Sequence, residues 1–215
     1  MKIAVIGTSG FVGSHITKEL LSRDYDVIGI SKDIKISQEE HLSYVKVDIL
    51  DLVELTKALK DCEVVVSAFN AGWDNPNLYE DFLSGSKAIQ EAVKTAGINR
   101  FIVIGGAGSL YVSDGVQAVD TADFPKEFYN GALAARDYYN ILEKENNIDW
   151  AVFCPPFEMH KGVTIGRTGK YRLGHSTPIY DERNRSVLSV EDLAVVIADE
   201  IENKTFSKTR FTAAY

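Results

Sequence analysis

Lys2-Ile3-Ala4-Val5-Ile6-Gly7-Thr8-Ser9-Gly10-Phe11-Val12-Gly13 is the stretch that decides the fold. A short β-rich run, Lys2–Ile6, stops at a glycine. A helical pattern follows over Phe11–Ser22, with Val12, Ile16, Leu20 and Leu21 on one face. Three glycines at three-residue spacing mark the joint. Gly7 permits the tight turn, Gly10 lets backbone approach a bound diphosphate, and Gly13 allows helix and strand to pack closely. The helix start offers free N–H groups from Phe11 and Val12 and a positive dipole end to that anion. Thr8 and Ser9 can add hydroxyl donors. A glycine run alone is weak evidence, but this one joins an N-terminal strand to a helix inside a strand–helix–strand unit.

The same alternation continues along the chain. Strand patterns fall at 26–30, 44–47, 63–68, 101–104 and 150–154, with a closing strand at 206–212. Helical patterns fall at 51–60, 77–96, 131–145 and 189–202, the last begun by Ser189 and Asp192. Val64-Val65-Val66 and 101–104 are apolar without alternation, as strands covered on both faces must be. The pattern predicts an α/β fold, a doubly wound parallel sheet, in one domain spanning 1–215. Residues 157–185 break the rhythm and predict a small irregular lobe on the substrate side, over the sheet edge.

Composition narrows the function. The 215 residues are 45% hydrophobic and 25% charged, an ordinary globular balance. Lys and Arg number 23 against 31 Asp and Glu, a net charge of −8. Such a chain repels phosphate backbones and anionic lipid, so nucleic acid and membrane are not the expected partners. No apolar run has the length of a membrane span, and Cys62 and Cys154 form no disulfide framework or metal-ligand spacing. A reducing, cytoplasmic location and no metal site are the expectation.

Further motifs stand at the strand ends. They are Val47-Asp48-Ile49, Val66-Ser67-Ala68-Phe69-Asn70, Val103-Ile104-Gly105-Gly106-Ala107-Gly108-Ser109, Cys154-Pro155-Pro156 and Ser189-Val190-Glu191-Asp192-Leu193-Ala194. With the glycine loop, in this order, they resemble the extended and atypical short-chain dehydrogenase/reductase superfamily over nearly the whole chain. The nearest resemblance is to small NAD(P)H-binding proteins of the epimerase/dehydratase and NmrA-like groups, which include biliverdin-reductase-B-like flavin reductases. The resemblance implies a Rossmann fold, with Asp48 and Ile49 at the adenine and Ala68, Phe69, Asn70, Gly105, Gly106 and Pro155 along the cofactor. At the end of the second strand, Ser31 and Lys32 favour the 2′-phosphate of NADP, since a cation matches that group. Asp33 is one residue away, so NAD stays open. Asp48 can equally cap the following helix.

The chemistry is less fully written. Short-chain enzymes use a Tyr-x-x-x-Lys pair, in which lysine lowers the tyrosine pKa for proton transfer. None of the ten tyrosines has lysine four residues on: Tyr129 stands near the expected place, but Leu133 follows it and Arg136 is out of register. Hydride transfer to a flavin-like or quinone-like acceptor needs little acid catalysis and depends on proximity. Ser109, Tyr111 and His160 are the candidate proton donors. Trp73, Tyr111 and Phe157 are candidate walls for a planar substrate. Arg167, in the basic run 167–172, is a candidate for a substrate carboxylate or phosphate. Three functions fit: an NAD(P)H-dependent oxidoreductase, a nucleotide-sugar epimerase/dehydratase, and a non-catalytic NmrA-like dinucleotide sensor. A small-molecule substrate is the expected partner, and the helices at 77–96 and 131–145 can pair two copies in a homodimer.

Overall fold

A computed structural model describes residues 1–33 and 39–215. The strands are β1 (Lys2–Ile6), β2 (Asp26–Ser31), β3 (Leu42–Lys46), β4 (Val64–Ser67), β5 (Arg100–Ile104), β6 (Tyr111–Ser113), β7 (Val116–Gln117), β8 (Asp149–Phe153), β9 (Arg172–Gly174) and β10 (Thr209–Ala214). The helices are α1 (Phe11–Ser22), α2 (Leu52–Leu59), α3 (Leu78–Thr95), α4 (Tyr129–Leu142) and α5 (Val190–Asn203). Eight strands form one sheet in the order β3-β2-β1-β4-β5-β8-β10-β9. Its pairings are parallel except β10–β9.

The unbroken apolar strands are explained by two cores. Val65 of β4 and Phe101 and Val103 of β5 pack with Leu55, Ile89, Tyr138 and Trp150 on the face covered by α2, α3 and α4. Val64, Val66 and Ile102 pack with Ile16, Leu20, Leu193 and Ile197 on the face covered by α1 and α5. Successive side chains point to opposite faces, so a strand buried on both must be apolar throughout.

Residues 157–185 are tied to the sheet edge and to α5. β9 adds an antiparallel strand to the sheet edge, pairing Ala213 with Leu173. The N–H groups of Thr168 and Gly169 both donate to Asp192, each at 2.8 Å. The closing strand also lies further on than 206–212: Phe206 instead stacks on Phe211, with centroids 4.5 Å apart. The two-stranded hairpin β6–β7 has strands too short for a period to register. No helix among the described residues is long and apolar enough to cross a membrane. Both cysteines are buried free thiols. Burial pushes Cys62 up to about 11 and Cys154 up to about 12.

Candidate functional site

The sheet order reverses at β1 and β4: from β1 the chain winds outward to β2 and β3, then returns to β4 on the other side. Loops diverge there beyond the carboxyl ends of the strands and leave a crevice. It is a cleft of about 440 Å³. One wall is the Gly7–Gly10 loop and the end of β2; the other is Ala68–Ala71 and the start of α3, with Ile49 and Leu50 at the side.

The glycine loop has the geometry of an anion cradle. Gly7 sits at φ +83°, and a Cβ there would lie 2.6 Å from the Ala68 carbonyl oxygen. The Gly7 N–H donates to Ile30 O at 2.9 Å and Gly10 N–H to Gly7 O at 2.9 Å, which fixes the turn. The first intrahelical bond of α1 runs from Ser14 N to Gly10 O, so the N–H groups of Phe11, Val12 and Gly13 precede the ladder. No acidic side chain stands in that first turn and none caps it. Unsatisfied donors with a positive dipole end fit a diphosphate.

Of the expected cofactor residues, Gly7, Ser9, Gly10, Ser31 and Lys32 line the cleft, as do Ile49, Ala68, Phe69 and Asn70. Ser9 Oγ lies 2.7 Å from Ser31 Oγ, tying the loop to the end of β2. Exposed Lys32 holds its Nζ 3.5 Å from Asp48 Oδ2 at the rim. Asp48 does not cap α2; it accepts from Leu50 N, and Asp51 is the cap, accepting from Glu54 N.

Of the other expected cofactor residues, Thr8, Phe11, Val12, Gly13, Gly105, Gly106 and Pro155 do not line the cleft. The Thr8 hydroxyl faces away from the cleft, buried against Thr17 Oγ1 at 2.8 Å, because the loop must satisfy it inside. Phe11 and Val12 can meet a ligand only through their N–H groups, and Gly13 packs as closely as its spacing predicts, since a Cβ there would lie 2.1 Å from Gly7 O. Gly105 and Gly106 owe their glycines to packing, since added Cβ atoms would meet Val152 Cγ1 at 2.7 Å and Ala135 Cβ at 3.3 Å. Pro155 is buried.

Among the proton-donor candidates, Ser109 is buried, and its carbonyl accepts from Gln117 and Arg210. Tyr111 lies elsewhere, on an open hollow of about 650 Å³ with Asp114, Pro178 and Tyr180 that shares no residue with the cleft. Its N–H bonds Ser176 O, which starts the β6–β7 hairpin there. His160 is exposed, and its Nδ1 accepts from Gly162 N at 3.1 Å, closing a turn. Arg167 is already committed: its Nε and Nη2 form a fork on buried Glu19, at 2.8 and 2.9 Å. That fork holds the Glu19 carboxyl below its ordinary range. A guanidinium so engaged is not available to a substrate.

Trp73 and Phe157 are exposed, but neither lines the cleft. The Trp73 ring rests on the first turn of α4, where a Cβ on Gly131 would lie 2.7 Å from it, and meets Phe128 edge-on with centroids 5.5 Å apart. No tyrosine hydroxyl among the described residues hydrogen-bonds a lysine. Among the described residues Tyr79 donates to Asp137 at 2.7 Å, a carboxylate that raises its pKa. Arg136 pairs with Asp137 and Asp120.

The sequence reading missed Asn75, ahead of α3, and Asp81, Ser84 and Gly85 on α3, which close the cleft. A signal was present in Gly85, a glycine inside a long helical pattern. A Cβ there would lie 2.6 Å from both Ile49 Cδ1 and Phe69 Cε1, so glycine lets the helix reach the cleft wall.

A parallel sheet with its cleft at the switch point and a glycine cradle define a Rossmann-type dinucleotide-binding protein. Residues 7–204 match the NAD(P)H-binding family, and the chain belongs to it. The uncharacterised protein YwnB of Bacillus subtilis (strain 168) is 30% identical over 214 residues, 99% of this chain and 97% of that one. A solved structure from Bacteroides thetaiotaomicron, named as a proposed epimerase, matches with TM-score 0.90 at 39% identity, covering 100% of this chain and 96% of that one. One from Streptococcus pneumoniae TIGR4, named as a proposed NADH-flavin reductase, matches with TM-score 0.85 at 30% identity, covering 100% and 99%. Cinnamoyl-CoA reductase 1 of Arabidopsis thaliana is 24% identical over an alignment of 222 positions, but the chain spans only 64% of that enzyme.

Proposed function

We propose that the protein is an NADPH-dependent reductase of a planar, delocalised acceptor of the flavin or quinone kind. The observation that carries this reading is the exposed Trp73–Phe128 pair, with Trp73 placed in sequence between the cleft residues Ala71 and Asn75, in a chain without a Tyr-x-x-x-Lys pair. A bound reduced nicotinamide supplies hydride; such an acceptor delocalises the incoming charge and takes its proton from solvent. The chain's own work is then binding and orientation. The N–H groups at the start of α1 hold the diphosphate, Ile49 and Leu50 offer an apolar seat for adenine, and Trp73 orients the acceptor by stacking. Tyr79, with its hydroxyl on Asp137, is poorly suited to proton abstraction from a sugar.

The test is NADPH oxidation with a panel of flavins, quinones and nucleotide-sugars. Turnover of nucleotide-sugars alone would replace this reading with an epimerase or dehydratase. Tight binding of oxidised and reduced cofactor without any turnover would make the protein a sensor.

Two predictions follow the site residues. Trp73→Ala should raise the acceptor KM about tenfold, the worth of one aromatic contact, and leave NADPH affinity unchanged. Steady-state kinetics beside calorimetric titration would separate these effects. NADPH preference rests on Lys32, which lines the cleft, while Asp33 turns its N–H back to Ser31 Oγ at 3.3 Å. Lys32→Ala should weaken NADPH about tenfold and NADH hardly at all, because only NADPH carries a phosphate for it. Equal loss of both would move Lys32 away from the ribose phosphate.

A further inference from the structure

From the segment after β8, we infer that Lys161 is a second cation of the dinucleotide site, closing over the diphosphate at the start of α1. The inference rests on the dinucleotide reading and extends it to a residue far from the glycine loop. Charge balance motivates it. Residues 7–17 contain no Lys or Arg, so the loop meets a doubly charged diphosphate with backbone dipoles and the Ser9 hydroxyl but no lysine or arginine of its own. The whole chain carries a net charge of −8, which repels that ligand at longer range.

The structure supplies a cation from elsewhere. Lys161 Nζ lies 5.9 Å from the centroid of the Phe11 ring, and Phe11 is the first residue of α1. The lysine is carried on a fixed turn: Val163 N–H donates to His160 O at 2.9 Å, and Gly162 N–H to His160 Nδ1. The segment before it is pinned too, since Glu158 N–H donates to Ser186 O at 2.8 Å and Leu188 N–H to Glu158 O at 3.2 Å. Nearby guanidiniums are spent within the protein, Arg167 on Glu19 and Arg185 on Glu158. Lys161 forms no ion pair among the described residues. Glu191, on α5, holds its Oε1 3.9 Å from His15 Nε2 on α1. An exposed lysine on a four-carbon stem, parked over an aromatic ring, can swing to a phosphate without moving backbone.

The prediction differs in kind from that for Lys32. The diphosphate is common to NADPH and NADH, so Lys161→Ala should raise the Kd of both by the same factor, about fivefold at low salt. The gap should narrow at 0.5 M salt, about a 4 Å Debye length, because the pair is exposed. Lys161→Arg should restore both affinities, since the charge is kept. Titration of wild type, Lys161→Ala, Lys161→Arg and Lys32→Ala with both cofactors reads all of this. Unfolding midpoints would confirm that the exposed substitutions leave the fold intact. Unchanged affinity in Lys161→Ala would overturn the proposal, as would a loss confined to NADPH. If the wild type bound neither cofactor, the dinucleotide reading itself would fall, and the proposal with it.

Discussion

Gly13→Ala is expected to raise the dinucleotide Kd by about 100-fold, because donors displaced by about 1 Å lose most of an oriented contact. The added methyl would lie 2.1 Å from Gly7 O and 2.7 Å from Gly7 C, both backbone atoms with no rotamer to escape into. Gly7 has little room to retreat, since its N–H is held by Ile30 O and even a Cβ on it would lie 2.6 Å from Ala68 O. The loop and the start of α1 must therefore part. Overpacking of this kind costs about 1–3 kcal/mol of stability as well. Gly10→Ala is the informative contrast. Gly10 has φ −79° and ψ 170°, open to any residue, and its added Cβ would meet only Gly7 O at 3.2 Å. That variant should fold as wild type and lose affinity only through crowding of the ligand. Calorimetric titration with NADPH and thermal unfolding of both variants check this. A Gly13→Ala protein that bound like wild type would place the anion elsewhere.

Asp192→Ala is expected to lower stability by about 3 kcal/mol, the cost of leaving several buried donors unpaired. Its carboxylate is fully buried and accepts from Thr168 N, Thr168 Oγ1, Gly169 N and the Tyr215 hydroxyl. For a domain of this size the midpoint should fall by about 6–12 °C. Tyr215→Phe removes one donor and leaves the backbone bonds intact, so its loss should be about 1 kcal/mol. Scanning calorimetry on the two variants separates them. If Asp192→Ala melted with the wild type, this carboxylate would not be what holds residues 168–169 to α5.

These two residues mark the limits of the sequence reading. Gly13 was legible because its role is local: a strand, a turn and a helix within a dozen residues leave a pattern with only a few physical causes. Asp192 was legible only as a residue of a helix N-terminus. Its backbone N–H does bond the cap, Ser189 Oγ, at 3.1 Å, but its carboxylate turns to a loop 24 residues back. Arg167 was misread for the same reason. A basic run in an acidic chain looks available, yet its guanidinium spans 148 residues to find Glu19. Tyr111 follows a strand end, as cofactor neighbours do, but the β6–β7 hairpin carries it to a separate hollow.

By itself the sequence determined the parallel strands, the helices that alternate with them and the cradle at the start of α1. Period and glycine spacing are constraints on neighbouring backbone, and neighbours are what a sequence records directly. Tertiary structure alone decided which charges were consumed inside the protein, which aromatics stayed exposed, and which turn of α3 closed the cleft. Those outcomes depend on side chains brought together across the sheet, where the chemistry of a residue is set by partners that no local pattern names.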